Sequence, residues 1–293
     1  MSMTIAFIGL GNMGAGMAAN LLKNGYAVRA FDLSAAALDK AKEAGALPCA
    51  SAGEAVQGAG AVVTMLPAGK HVEEVYNGSV FGAADAGAIL LDCSTIDVAT
   101  ARRTIAAAED KGFAMVDAPV SGGIAAANGG TLTFMVGGSD AAFERARPIL
   151  SAMGKAVIHA GGAGNGQAAK ICNNMLLGAT MVATCEAFAM AEKIGLDPQT
   201  FYDISSVSSG QSWSMTSYCP LPGVGPNSPA DNGYEGGFAA ALMLKDLKLA
   251  VEAAAAVNAS VPMGGNAEAL YQMLVNSGEG GKDFSSIIRL LRG

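Results

Sequence analysis

The chain has 293 residues, 51% of them apolar, and its formal net charge is −7. This length and apolar content favour two domains with substantial cores. The negative charge and the lack of a basic cluster disfavour nucleic acid as a partner. Five cysteines, an odd number without a CxxC pair, indicate a reduced, cytoplasmic protein.

Two further classes are disfavoured by short patterns. No secretory signal opens the chain, and its apolar runs are interrupted by proline, glycine or asparagine, so we expect no membrane partner. HExxH and paired cysteine ligands are both missing from the sequence, so no metal site is predicted.

The first predicted elements form a strand, a glycine-rich turn and a helix. The apolar run Thr4 to Ile8 precedes Gly9-Leu-Gly-Asn-Met-Gly14, and a helical pattern continues to Lys23. In this context GxGxxG binds a dinucleotide, because the glycines permit the tight turn and the close approach of a pyrophosphate to the helix N-terminus. The predicted cofactor contacts here are Gly9, Leu10, Gly11, Asn12, Met13 and Gly14.

A second strand, Ala27 to Phe31, ends in Asp32. A carboxylate at this place in a dinucleotide-binding unit binds the ribose 2′-hydroxyl, and it would repel a 2′-phosphate. Residues 33–37 contain no Arg or Lys to hold such a phosphate. We therefore predict NAD over NADP as the cofactor, the alternative being a solvated Asp after a plain turn.

The rest of the first half alternates strands and helices. Asp97 and Ser139 are placed to cap helices, and the spacing of Ser51 and Glu54 predicts a capping box. Repeated βα units predict a mostly parallel, doubly wound sheet with helices on both faces. The predicted strands are residues 61–66, 88–92, 113–118, 131–136 and 155–159.

The second half is expected to be all-α. One long helix is predicted over residues 165–193 and another after Asp197-Pro198, followed by a loop over 208–237 that carries Trp213. We predict a dinucleotide-binding domain over 1–162 and a helical domain over 163–293, joined by the long helix. That helix is either an intramolecular core element or part of a homodimer or homotetramer interface.

Two groups of residues could carry chemistry. Lys170 and Asn174 lie four residues apart among apolar neighbours, so they share one helix face. Burial there would favour the neutral amine of a general base, although a snorkelling surface lysine has the same spacing. Ser121-Gly122-Gly123 follows a strand end, where backbone N–H groups suit a small carboxylate or serve only a tight turn. Trp213 either covers a substrate pocket or packs at an interface.

These motifs together resemble the β-hydroxyacid dehydrogenase family over nearly the whole chain. The closer similarity, to members that act on 3-hydroxyisobutyrate, is in the segments around Tyr218 and Gly236 and at 282–286. The motifs that carry the resemblance are Gly9-Leu-Gly-Asn-Met-Gly14, Asp92-Cys-Ser-Thr-Ile96, Asp117-Ala-Pro-Val-Ser-Gly-Gly123, Gly130-Thr-Leu-Thr-Phe-Met-Val-Gly-Gly138, Gly166-Gln-Ala-Ala-Lys-Ile-Cys-Asn-Asn174 and Lys245-Asp-Leu247.

The resemblance implies a role for each matching residue. Lys170 corresponds to the catalytic lysine, and the substrate-carboxylate contacts correspond to Ser121, Gly122, Gly123 and Asn174. Cofactor contacts correspond to Leu66, Pro67, His71, Thr95, Phe238 and Lys245. One departure is Ile124-Ala125-Ala126, which stands where the family usually has a further glycine.

The implied reaction is NAD-dependent oxidation of a primary alcohol β to a carboxylate, with 3-hydroxyisobutyrate as the expected substrate and valine degradation as the expected pathway. Other activities on the same scaffold stay open: oxidation of L-serine, or reduction of tartronate or succinic semialdehyde. A non-catalytic dinucleotide-binding module or sensor is a further alternative, and it predicts no turnover.

Overall fold

The computed structural model describes residues 3–293, and the chain divides into two compact units. The first extends to Lys170, and the second runs from Ile171 to Gly293. The division falls inside one helix, so this helix gives its first turns to one unit and its remainder to the other.

The first unit alternates strands and helices from its start. Its strands are β1 (Thr4–Ile8), β2 (Ala27–Phe31), β3 (Leu47–Pro48), β4 (Ala61–Thr64), β5 (Ile89–Asp92), β6 (Ala114–Asp117), β7 (Val120–Ser121), β8 (Leu132–Gly137) and β9 (Gly154–Gly161). Its helices are α1 (Gly14–Lys23), α2 (Ala35–Glu43), α3 (Ala52–Val56), α4 (Gly69–Val75), α5 (Phe81–Ala83), α6 (Val98–Asp110), α7 (Gly123–Gly129) and α8 (Asp140–Ser151), with a π-helical turn at Tyr76–Val80.

The nine strands form one sheet in the order β3-β2-β1-β4-β5-β6-β8-β7, with β9 paired to β8. All neighbours from β3 to β6 are parallel, while β8 runs antiparallel to β6 and β7. Large apolar clusters cover both faces of this sheet. The predicted mixed α/β class with a parallel-dominated sheet is confirmed.

The register of the parallel strands brings their carboxyl ends to one edge. Ile8 pairs with Phe31 and Thr64, Thr64 pairs with Asp92, and Asp92 pairs with Asp117. The glycine-rich turn and the loops after β2, β4, β5 and β6 therefore leave the sheet side by side. The strand order also reverses next to β1, and open α/β sheets bind ligands at such a point.

Two local predictions need correction. Between the predicted strands 113–118 and 131–136 no further element was predicted, but the structure has β7 and α7 there. Residues 124–128 continue as a helix after the chain has turned at Gly122. At α3, Ser51 caps the helix as expected, but the Glu54 carboxylate accepts from the N–H of Ala50. The reciprocal bond of a capping box, to the N–H of Ser51, is therefore not made.

The second unit is helical, as predicted. It contains most of α9 (Asn165–Lys193) together with α10 (Pro198–Ser205), α11 (Trp213–Thr216), α12 (Ala240–Ala256), α13 (Pro262–Leu274) and α14 (Ile287–Arg292). Phe188, Tyr271 and Phe284 are the largest buried side chains of its core. By length and apolarity α9 could cross a membrane, but half of its most apolar stretch is buried inside the protein, which is typical of a core helix.

A buried carboxylate holds the ends of β4 and β5 together. Asp92 Oδ1 accepts hydrogen bonds from the Thr64 hydroxyl (2.8 Å) and the Ser94 hydroxyl (2.6 Å), while Oδ2 is buried without a hydrogen-bond partner. Burial raises the pKa of Asp92 to about 6 from its usual 3.8, and the bonds from Ser94 and Thr64 oppose that rise. Tyr76, Cys93 and Asp117 are the other titratable groups that face or influence this carboxylate.

We predict a pH dependence of stability that belongs to Asp92. Between about pH 4 and pH 6 the native protein holds a proton there that the unfolded chain has released, so the free energy of unfolding falls as pH rises through this window. The shift corresponds to at most about 3 kcal/mol. Urea unfolding at pH 4.5 and pH 7 should show the decline in the wild type and a smaller decline in Asp92→Asn.

The matched control is Asp110→Asn, which changes an exposed carboxylate at the end of α6. It should leave the wild-type pH dependence intact. An unchanged pH dependence in Asp92→Asn as well would contradict the assignment of a raised pKa to Asp92.

Candidate functional site

The glycine-rich turn is built for close backbone packing. Gly9 has φ +97°, and a Cβ atom there would overlap the carbonyl oxygen of Met65. A Cβ atom on Gly14 would likewise overlap the carbonyl of Gly9. Gly11 is different, since no atom lies within 4 Å of the place its Cβ would occupy. That open space next to the start of α1 fits a pyrophosphate that approaches the backbone.

Asp32 fastens this turn to the end of β2. Its Oδ2 accepts the N–H of Leu10 at 2.6 Å and its Oδ1 accepts the N–H of Ser34 at 2.8 Å. Each oxygen of this carboxylate has a second lone pair, which can accept a hydrogen bond from a ribose hydroxyl. The next residue, Leu33, is 95% exposed and carries no charge. The two residues therefore suit an unphosphorylated ribose.

The loops after β4 and β5 are linked by a serine. Ser94 Oγ donates to Asp92 and accepts the N–H of Leu66 at 2.8 Å, so it fixes the start of the Leu66-Pro67 segment. His71 lies shortly after this segment, on α4, and its Nδ1 is buried with no hydrogen-bond partner in the described structure. A buried ring nitrogen without a partner fits a polar group of a bound ligand.

The Ser121-Gly122-Gly123 segment joins β7 to α7. Gly122 and Gly123 have φ values of +130° and +68°, which side chains rarely adopt, and a Cβ on Gly122 would lie 2.6 Å from Ala126. The glycines are therefore needed for the bend that leads from the strand into the helix. Ile124 to Ala126, where the family usually has another glycine, are part of α7 and need no such freedom.

The start of α9 is bound to the same edge of the sheet. Asp117, at the end of β6, accepts the N–H of Gly164 with Oδ1 and the N–H of Gln167 with Oδ2, both at 2.8 Å. The Gln167 side chain donates to the carbonyl of Ser94 and accepts the N–H of Ile96. Burial raises the pKa of Asp117, and the two N–H donors of α9 oppose that rise. A carboxylate at a helix N-terminus also stabilises the helix dipole.

Lys170 follows one turn after Gly166 on this anchored helix. Its side chain is only 7% exposed, which is unusual for a lysine. Gly166 explains how the helix comes so near the sheet, because a Cβ atom there would lie 2.7 Å from the carbonyl oxygen of Asp117. The predicted catalytic lysine is thus buried, on a helix whose first turn is fixed to β6.

Within the second unit, Asn174 is held by α12. Its Nδ2 donates to Asp246 Oδ2 at 2.5 Å, and its Oδ1 accepts from Asn173 at 2.9 Å. Lys245 Nζ lies 3.4 Å from the other oxygen of Asp246. Asn174 and Asp246 are almost fully buried, so this carboxylate orients both the amide and the lysine side chain.

A second carboxylate organises the aromatic residues of this unit. Asp283 Oδ2 accepts the N–H of Phe238 (2.7 Å) and the hydroxyl of Tyr218 (2.8 Å). Trp213 stacks on Tyr218 with ring centroids 4.8 Å apart and is half exposed. A Cβ on Gly237 would approach the Tyr218 hydroxyl to 2.5 Å. The segments 236–238 and 282–286 therefore depend on each other.

The sequence did not indicate the supporting residues as clearly as the predicted site residues. Asp117, Gln167, Asp246 and Asp283 orient their neighbours through hydrogen bonds that span up to 73 residues in sequence. One signal was available. Gly164, the residue before α9, has no side chain that could cap the helix, which indicates that the acceptor comes from elsewhere in the chain.

Comparisons with known proteins agree with this geometry. A family model described as the NAD binding domain of 6-phosphogluconate dehydrogenase matches residues 4–162. A second, described as the NAD-binding domain of NADP-dependent 3-hydroxyisobutyrate dehydrogenase, matches residues 164–291. Together they span almost the whole chain.

Relatives of known name match along their whole length. A Pseudomonas aeruginosa 3-hydroxyisobutyrate dehydrogenase is 50% identical over 293 residues, which cover 99% of this chain and 98% of that protein. An NAD-dependent L-serine dehydrogenase of the same organism is 50% identical over 288 residues, covering 98% and 97%. The structure of Mycobacterium tuberculosis 3-hydroxyisobutyrate dehydrogenase with L-serine matches with a TM-score of 0.96 and 45% identity, covering 100% of both chains.

The fold, the glycine-rich turn with its acidic partner and these full-length similarities lead to one assignment. The chain belongs to the β-hydroxyacid dehydrogenase family, is similar to 3-hydroxyisobutyrate dehydrogenases, and is an NAD-dependent oxidoreductase that acts on a small hydroxy acid.

Proposed function

We propose that the protein oxidises 3-hydroxyisobutyrate to methylmalonate semialdehyde with NAD, as a step of valine degradation in the cytoplasm. The observation that carries the proposal is the buried Lys170 on a helix that Asp117 fixes to the edge of the sheet where the glycine-rich turn also lies. The high identity to a 3-hydroxyisobutyrate dehydrogenase supports this substrate.

Oxidation of an alcohol carbon removes a hydride and a proton. Bound NAD supplies the hydride acceptor. Lys170 accepts the hydroxyl proton at Nζ, and the helix that carries it is already anchored, so little reorganisation is needed when the substrate binds. Ser121, Gly122 and Gly123 bind the substrate carboxylate, and Asn174, one turn beyond Lys170, donates to the same substrate. Trp213 contributes to the substrate pocket.

The proposed cofactor contacts begin at the glycine-rich turn. Asp32 binds the adenosine ribose, and the turn Gly9-Leu-Gly-Asn-Met-Gly14 binds the pyrophosphate. Leu66, Pro67, His71 and Thr95 line the path of the cofactor from the ends of β4 and β5. Phe238 and Lys245 are proposed as further cofactor contacts because they match cofactor contacts of the family. Because Asp32 repels a 2′-phosphate, NAD is preferred over NADP.

The native assembly is proposed to be a homodimer or homotetramer. Apolar side chains that are more than half exposed lie on α9 and α10 and directly after them. Such surface is costly in a monomer, and a second copy of the chain would cover it. These residues are Leu176, Met190, Ile194, Ile204 and Val207.

Oxidation of L-serine is the second candidate function. A relative at 50% identity is named an L-serine dehydrogenase, and the Mycobacterium tuberculosis 3-hydroxyisobutyrate dehydrogenase structure contains L-serine. L-Serine is also a primary alcohol β to a carboxylate, so the same carboxylate and hydroxyl contacts serve both acids.

A substrate panel tests the function directly. The purified chain is assayed for NADH absorbance with 3-hydroxyisobutyrate, L-serine and D-glycerate, each with NAD and with NADP. We expect the highest kcat/KM with 3-hydroxyisobutyrate and NAD. A higher value with L-serine would select the second candidate, a higher value with NADP would reject the role of Asp32, and no turnover with any acid would contradict the enzyme itself.

We predict that Lys170→Ala lowers kcat by about 10²–10⁴, the usual contribution of a positioned acid–base group. The Kd of NAD, measured by fluorescence titration, should stay within about twofold of the wild type, since the lysine acts on the substrate. Lys193→Ala, an exposed lysine in the last turn of the same helix, is the control and should keep full activity. If Lys170→Ala retains a tenth or more of the wild-type kcat, Lys170 is not the base.

For Asn174→Ala we expect a loss of roughly 10- to 100-fold in kcat/KM for the hydroxy acid, as for one hydrogen bond to a charged group. NAD affinity should change far less. Cys172→Ala, on an exposed position of the same helix, serves as the control. An equal loss of NAD affinity in Asn174→Ala would show that this residue does not act on the substrate.

A further inference from the structure

The helix after the glycine-rich turn, α1, packs tightly against α7. Gly16 lies at the contact, and a Cβ atom there would lie 2.9 Å from the carbonyl carbon of Ala127 and 2.9 Å from the backbone nitrogen of Asn128. Only a glycine lets the two backbones come this close. The two helices therefore meet backbone to backbone at the C-terminal end of α7.

Asn20, one turn beyond Gly16, joins the two helices by hydrogen bonds. Its Nδ2 donates to the carbonyls of Ala127 (2.7 Å) and Asn128 (3.3 Å), and to the Gly16 carbonyl of its own helix (2.9 Å). All three partners are carbonyl oxygens, so only the amide NH₂ group can face them. Asn20 is 6% exposed. It therefore satisfies backbone acceptors at the end of α7, which that helix cannot satisfy itself.

The other end of α7 begins at the proposed carboxylate-binding loop. Gly122 is the N-cap residue of α7 and Gly123 its first residue, and α7 is seven residues long. A short helix moves as one body, so its direction fixes the direction of the loop at its start. Asn20 and Gly16 hold the far end of α7, while the pairing of Ser121 with Thr133 holds the strand before the loop.

We propose that Asn20 is a positioning residue for the hydroxy acid: it holds α7, and through α7 the Ser121-Gly122-Gly123 loop, against the helix that follows the cofactor turn. This inference rests on the proposed function, since it takes that loop to bind the substrate carboxylate. It extends the proposal, because the three carbonyls that accept from the Asn20 side chain belong to none of the proposed substrate or cofactor contacts.

The test compares Asn20→Ala with Asn24→Ala in the full-length protein. Asn24 lies one turn further on α1, and its Nδ2 donates to the carbonyls of Asn20 (2.9 Å) and Ala152 (3.1 Å) instead of to α7. We expect Asn20→Ala to raise the KM for 3-hydroxyisobutyrate and L-serine about tenfold, because buried carbonyls lose their donor and α7 shifts. The Kd of NAD should stay within about twofold for both variants, and Asn24→Ala should keep the wild-type KM.

A conservative variant and a local measurement complete the test. Asn20→Ser keeps a donor and should recover part of the KM. Amide hydrogen exchange over residues 121–130 should accelerate in Asn20→Ala, and in Asn20→Ser to a smaller degree. If Asn20→Ala does not fold, the same comparison is made with Asn20→Ser alone.

Ser121→Ala separates this inference from the proposed function. If Ser121→Ala raises the KM and Asn20→Ala leaves it unchanged, the positioning role is overturned and the substrate loop stands. An equal loss of NAD affinity in Asn20→Ala overturns the positioning role as well. If both Ser121→Ala and Asn20→Ala leave the KM unchanged, the positioning role is overturned, while the proposed function is still decided by the substrate panel.

Discussion

The hydrogen bonds from Asp117 to the first turn of α9 are the constraint on which the candidate site depends. They join the end of β6 to the helix that carries Lys170, and Gln167 adds a second attachment to the segment after β5. A buried carboxylate needs such donors, because unsatisfied it would cost several kcal/mol. The same carboxylate therefore accepts hydrogen bonds from N–H groups at the start of α9. This attachment holds the helix against the sheet and so keeps Lys170 buried.

Similar buried carboxylates recur where chain segments must meet. Asp92 holds the loops after β4 and β5, Asp246 holds Asn174, and Asp283 holds Phe238 and Tyr218. Asp92 lies at the end of β5, Asp246 lies in α12, and Asp283 lies in a loop. Precise placement of functional groups here comes from a second layer of polar residues, which themselves are not expected to touch ligands.

Local signals predicted the elements well. The strand Ala27–Phe31 and the helix over residues 165–193 have the bounds expected from apolar patterning, and Asp97 caps α6 as its position indicated. The sequence also pointed to Lys170, because a lysine among apolar residues at helical spacing is rare. Each of these features depends on residues close to it in sequence, so the pattern of a single segment is enough to predict it.

Long-range features could not be predicted in this way. The short helix α7 was missed because its start depends on the bend at Gly122 and its end on Asn20, which lies 107 residues away from its partner Ala127. Contacts of this kind follow from the assembled sheet and not from the pattern of either segment.

The position of Asp283 has a consequence for how the protein is made. This carboxylate lies 65 residues after Tyr218 and 45 residues after Phe238, and it accepts hydrogen bonds from the Tyr218 hydroxyl and the Phe238 amide. During synthesis on a ribosome, the aromatic segment emerges long before its acceptor. The first unit can complete its sheet while translation continues, whereas the helical unit cannot complete this packing before Asp283 has emerged.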